Sequence, residues 1–178
     1  RDCYDFSMVA PDVLERKRQI GVAVHRAIEL WVRDDLDEAS LAPEIVGYFA
    51  AWKQCLKDSE HEVTGIIGDA EKRYYHPTYR YAGTPDLPMY LDDQWAIVDI
   101  KTAAESHPAW ALQTAAYQEL VNANTAKGER RIEARYTLRL RETGTYRLDP
   151  WKDRNDFNTF LAFLAVHRWC EANLKGQQ

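Results

Sequence analysis

Asp86, Asp99 and Lys101 lie within GTPDLPMYLDDQWAIVDIKTA, residues 83–103, and are the side chains best placed to act together. If Asp92-Asp93 forms a two-residue hairpin turn, Leu91 pairs with Gln94, and counting outward sets Asp86 directly opposite Asp99. Their Cβ atoms would then be roughly 5 Å apart, where like charges destabilise a sheet unless something compensates them. A divalent cation is the natural compensator. Strand alternation puts Lys101 on the same face as Asp99, within reach of a water or phosphate at the metal. Hard oxygen ligands favour Mg²⁺ or Mn²⁺, and such an ion activates water and neutralises charge on a phosphoryl oxygen. Lys101 would orient that water or stabilise the transition state. Two plainer readings stand beside this one: a bulge at Pro88 that shifts the register, and Asp-x-Lys as a surface ion pair.

Other residues can join the hairpin. His25 and Glu29 are four apart on one face of a predicted helix, in GVAVHRAIELW. They form a helix-surface pair or a core histidine, or else His25 supplies an imidazole ligand. Gln113 and Tyr117, four apart in QTAAY, are a boundary pair or a phosphate-binding and lysine-positioning pair. Glu71, in AEKRYY on the predicted strand before the hairpin, faces solvent or adds a metal ligand.

The elements that must hold these residues follow from hydrophobic period and from turn residues. Apolar positions recur at helical spacing from Asp12 to Val32 and from Pro43 to Leu56. The period shifts towards two between Val63 and Lys101, predicting three antiparallel strands, and Ser106 and Pro108 open a helix that runs to about Asn124. A hairpin over Ile132 to Arg141 and Thr145 to Leu148, then a helix over Arg154 to Leu174, complete the chain. The expected fold is α/β, a central mixed sheet flanked by helices, in one domain over residues 1–178.

No apolar run is long enough for a bilayer, so a soluble cytoplasmic protein with no membrane partner is expected. Cys3, Cys55 and Cys170 are scattered and suit a reducing compartment. Arg1 is not an initiator methionine, so a natural N-terminal segment is expected to be missing. The net charge of -5 speaks against nucleic acid, yet Lys127, Arg130, Arg131, Arg135, Arg139, Arg141 and Arg147 face only three acids between residues 127 and 147. Arg16, Lys17, Arg18 and Arg26 form a second basic group. On charge alone these are solvated faces; with a DNA-directed site they become backbone contacts.

His25 in GVAVHRAIE, Asp86 in GTPDL, Asp99 and Lys101 in VDIKTA, and Gln113 with Tyr117 in QTAAY together resemble the PD-(D/E)XK nuclease superfamily. The similarity is to its RecB-like branch, which includes phage exonucleases and the mitochondrial genome maintenance exonuclease. The motifs run in the family's order over residues 21–117. The resemblance implies a restriction-endonuclease-like core and metal binding by His25, Asp86, Asp99 and the backbone carbonyl of Ile100. It makes Asp86, Asp99 and Lys101 catalytic, has Gln113 and Tyr117 position Lys101 or the DNA backbone, and leaves Glu71 as an extra acid. The implied activity is a Mg²⁺- or Mn²⁺-dependent DNA exonuclease in phage-type replication, recombination or repair, working in a bacterial host cell if phage-encoded. A recombination or replication protein would be a partner, and any ATP-driven one would be a separate chain. Three cysteines cannot supply the four that iron-sulfur members use, so no such cluster is expected. The alternatives are a non-catalytic DNA-binding or assembly module with this fold, and a phosphohydrolase of small nucleotides.

Overall fold

In a computed structural model, residues 10–58, 63–66 and 70–174 are described, 63–66 by their backbone alone. Cys3 lies outside them. Proline at the first turn starts both N-terminal helices, where its missing N–H costs no hydrogen bond. Helix α1 (Pro11–Val32) buries Val24, Ala27 and Ile28, and α2 (Pro43–Lys57) buries Ile45, Phe49, Ala51, Trp52 and Cys55. The two helices meet at Trp31 and Trp52, whose rings are edge-on with centroids 5.9 Å apart.

A five-stranded mixed sheet follows, in the order β1 (Val63–Ile66), β4 (Leu87–Leu91), β5 (Gln94–Lys101), β6 (Ala134–Leu140), β7 (Tyr146–Pro150). All neighbours are antiparallel except β5 and β6. That parallel pair needs a crossover, which α3 (Ala109–Asn122) provides. Strands β2 (Tyr74–Tyr75) and β3 (Ala82–Gly83) form a separate hairpin. The predicted three-strand meander is therefore five strands in two sheets, because the tract between β1 and β4 folds back on itself first.

The decisive turn is as expected. Asp92 and Asp93 have φ of 50° and 60°, the left-handed pair that a two-residue hairpin requires and that Asp tolerates better than most residues. Leu91 pairs with Gln94, and the register continues through Pro88↔Ile97 to Leu87↔Val98 without slippage. Pro88 makes no bulge in the hairpin, where it pairs with Ile97 in unbroken register. The irregularity falls instead between Val63 and Gly65 of β1.

Alternation along the hairpin then divides its residues. Leu87, Met89, Leu91, Ala96, Val98 and Ile100, with Leu138 and Leu140 of β6, form the core with α1 and α2. Each of the Leu, Met, Val and Ile side chains contributes about 1.5–3 kcal/mol when fully buried. The opposite face carries Asp99 and Lys101 and lies beneath α3, against which the last helix, α4 (Asp156–Asn173), packs.

Candidate metal centre

Asp86 stands one residue beyond the last hairpin pair, and Asp99 continues the opposite strand. Instead of extending the ladder through its backbone, Asp86 accepts the Ile100 N–H on its side-chain Oδ2 at 2.6 Å. Its own carbonyl accepts the Glu71 N–H at 3.1 Å. Glu71 therefore sits in a turn, not on the predicted strand, and it holds the left-handed φ of 57°. A non-glycine residue there costs on the order of 1–3 kcal/mol, a strain that persists where surrounding contacts fix it and that concentrates at functional sites.

His25, in the middle of α1, points at this turn from the other side. Its Nε2 is 3.0 Å from the Ile100 carbonyl oxygen, and its Nδ1 is 3.3 Å from both Glu71 Oε1 and Asp86 Oδ1. Only the imidazolium has a proton on both nitrogens, as these contacts require. Burial opposes that charge, but Asp86 and Glu71 outweigh it and raise the pKa to about 10. The protonated ring thus occupies the acceptors a cation would take. His25, Glu71 and Asp86 offer ligand atoms that all lie within 4.8 Å of one another, a grouping that could hold a metal ion. Glu29, the other half of the predicted helix pair, is turned away and pairs with Arg26 at 2.6 Å and Arg33 at 2.8 Å.

Asp99 is 1% exposed, and its ion-pair partner among the described residues is Lys101, with Nζ 2.6 Å from Oδ2. The alignment is poor for a hydrogen bond, so both buried carboxylate oxygens lack one among the described residues. Burial and the nearby Asp86 charge push the Asp99 carboxyl up to about 6, against the opposing pull of Lys101 and His25. A surface ion pair would show neither the burial nor the shift. Lys101 is itself flanked by the Trp110 ring, with Nζ 5.9 Å from the centroid.

Gln113 and Tyr117 approach from α3. Gln113 Nε2 donates to the Tyr117 hydroxyl oxygen at 3.1 Å, which leaves the phenolic proton free for an acceptor in the site. Burial raises the Tyr117 pKa; the Gln113 bond opposes the rise, and the charges of Asp86, Asp99 and Glu71 add to it. The phenol is therefore a neutral donor facing carboxylates. The GTPD glycine allows this approach: a Cβ on Gly83 would fall 2.9 Å from Tyr117 Cε1. Tyr75 is exposed, while Tyr81 stacks on His76 and meets Phe160 edge-on.

The basic tract needs correction. Arg135 and Arg139 are buried and serve the fold, not a ligand. Arg135 donates to the Ala111 and Asp153 carbonyls and to Asp156, and Arg139 to Asp149 and the Ala104 carbonyl. Arg147 also pairs with Asp149, and Arg18 with Glu15.

The donors suit a hard cation. Carboxylates from Glu71 and Asp86 and the His25 imidazole converge, with the Ile100 carbonyl oxygen beside the ring, whereas Asp99, also expected as a ligand, lies outside that cluster and contacts Lys101. The His25, Glu71 and Asp86 cluster could hold a metal ion. No helix of the described residues is long and apolar enough to cross a membrane. Comparison with protein-family models finds no match for this chain, and comparison with curated proteins finds none either.

Proposed function

We propose that this chain is a Mg²⁺- or Mn²⁺-dependent deoxyribonuclease with a restriction-endonuclease-like core, hydrolysing DNA phosphodiesters from ends or in single strands. The single observation that carries the reading is Lys101 held against the buried Asp99 carboxylate, two residues along the same strand and beside the His25, Glu71 and Asp86 cluster. A structural ion pair has no need of three further converging ligands. The order of GVAVHRAIE, GTPD, VDIKTA and QTAAY, similar to the PD-(D/E)XK nucleases, supports the same reading.

His25, Asp86, Asp99 and the Ile100 carbonyl would hold the ion, with Glu71 as a fifth donor. The ion supplies positive charge that makes a water nucleophilic near neutral pH and offsets charge on the phosphoryl oxygens. Asp86 is fixed by the Ile100 N–H and so presents Oδ1 in one orientation. Lys101 orients the attacking water or stabilises the pentavalent charge, and Asp99 sets where its ammonium can lie. Trp110 narrows that choice further. Tyr117, its oxygen engaged by Gln113, donates its proton to a phosphate oxygen or towards the lysine's carboxylate partner. In this reading the protein works in the cytoplasm, in phage-type replication, recombination or repair, with a recombination or replication protein as partner.

End-labelled linear DNA and closed circles, each single- and double-stranded, incubated with Mn²⁺ test the exonuclease part. Linear substrates should shorten while circles persist; equal loss of circles would replace it with an endonuclease.

A further inference from the structure

We infer that a second anion site, built for a phosphate of the bound DNA strand, lies between Lys17, Thr102 and Arg141. It rests on the proposed nuclease reading and extends the same substrate away from the metal centre.

A cleft of about 280 Å³ is lined by Lys17 of α1, Thr102 and Ala104 just past β5, Tyr48 of α2, and Arg141, Glu142 and Thr143 of the β6–β7 turn. Lys17, Gly21 and His25 form one four-residue row along α1, so the row that carries the metal-site imidazole also leads to this cleft. At 1.5 Å rise per residue, Lys17 and His25 are about 12 Å apart. The row follows the end of β5. His25 meets the Ile100 carbonyl, and a Cβ on Gly21 would touch Thr102 Oγ1 at 3.4 Å.

The cations differ from those of the structural arginines. Among the described residues, Lys17 and Arg141 have no carboxylate partner, whereas Arg18, Arg26, Arg135, Arg139 and Arg147 each have one. Both cations are exposed, yet both rise from rigid elements. The Arg141 N–H donates to Thr145 at 2.9 Å, and the turn is seated so closely on α2 that a Cβ on Gly47 would fall 1.7 Å from the Glu142 carbonyl oxygen. Two cations on held backbone and the hydroxyls of Thr102 and Thr143 suit a phosphate, and the Glu142 carboxylate at the edge disfavours a second one. The occupant is a phosphate a few positions along the strand, terminal or internal.

Binding is measured in a Lys101→Ala background in EDTA, so hydrolysis plays no part. The probe is a fluorescent twelve-nucleotide single strand, with and without a 5′- or 3′-phosphate, titrated at several salt concentrations. Lys17→Ala and Arg141→Ala should each weaken binding about tenfold and reduce the slope of log affinity against log salt by about 0.7. Lys17→Arg should keep most of the affinity. Loss confined to one phosphorylated end identifies a terminal phosphate, and equal loss on all strands an internal one; both are expected forms of the site. Unchanged affinity and salt slope in both alanine variants overturn it. If the native chain cleaves no DNA but these variants still lose binding, the nuclease reading fails and the anion site stands.

Discussion

Lys101 Nζ lies 2.6 Å from Asp99 Oδ2, and Asp99 is 1% exposed, so the ammonium is the close counter-charge of a buried carboxylate that finds no hydrogen bond among the described residues. Removing one partner of such a pair is costly because it strands the other in a low-dielectric site. Asp99→Asn should therefore stabilise the metal-free protein above pH 6 relative to Lys101→Ala. Urea denaturation of the two variants in EDTA checks this, and a less stable Asp99→Asn would contradict it.

The two raised pKa values fix how stability without metal varies with pH. Asp99, raised to about 6, favours folding fully below its ordinary value near 3.8 and loses that contribution as pH rises through 6. His25, raised to about 10, contributes fully below 6.5 and loses it as pH rises towards 10. Melting temperatures in EDTA should show that Asp99→Asn flattens the fall between pH 4 and 6. His25→Gln should flatten the fall between pH 7 and 9. Unaltered slopes would mean that neither group is perturbed as described.

A cation that binds only the folded chain stabilises it by about 2.7 kcal/mol at a concentration 100 times its dissociation constant. Mn²⁺ should raise the melting temperature of the native protein, and EDTA should reverse the rise. Glu71→Ala and Asp86→Ala should each shrink the effect, because both belong to the cluster spanning 4.8 Å. An equal Mn²⁺ shift in Glu71→Ala would remove that residue from the ligand set.

Gly83 lets the Tyr117 ring approach the site, so Gly83→Ala should destabilise by about 1–3 kcal/mol, the usual cost of forcing atoms into a packed contact. Tyr117→Phe keeps the ring and loses the phenolic donor. It should leave the melting temperature within about 3 °C and weaken DNA cleavage. Thermal melts and cleavage rates, measured side by side, separate the two effects.

What the sequence could reveal followed from local geometry. Asp92-Asp93 accepts left-handed backbone at both positions, and from that turn the register runs out to Leu87↔Val98 by counting alone. The 3.6-residue period placed α1 and α2, and with them His25, nearly to the residue. Glu71 was harder. Its place depends on a left-handed turn held by the Asp86 carbonyl, fifteen residues away, and no periodic pattern encodes that. The basic tract misled because charge does not report burial. A readable warning was present: Arg135, Thr137 and Arg139 alternate on one face of β6, beside the parallel strand β5. Parallel strands are covered on both faces, so arginines there need carboxylate partners, and Asp156 and Asp149 provide them.

The most direct test compares native protein with Lys101→Ala for cleavage of end-labelled DNA in Mg²⁺, in Mn²⁺ and in EDTA. Native protein should cleave with either metal and stop in EDTA, while a folded Lys101→Ala should be slower by about a hundredfold or more. Cleavage by Lys101→Ala at the native rate, or none by the native chain with either metal, would contradict the account.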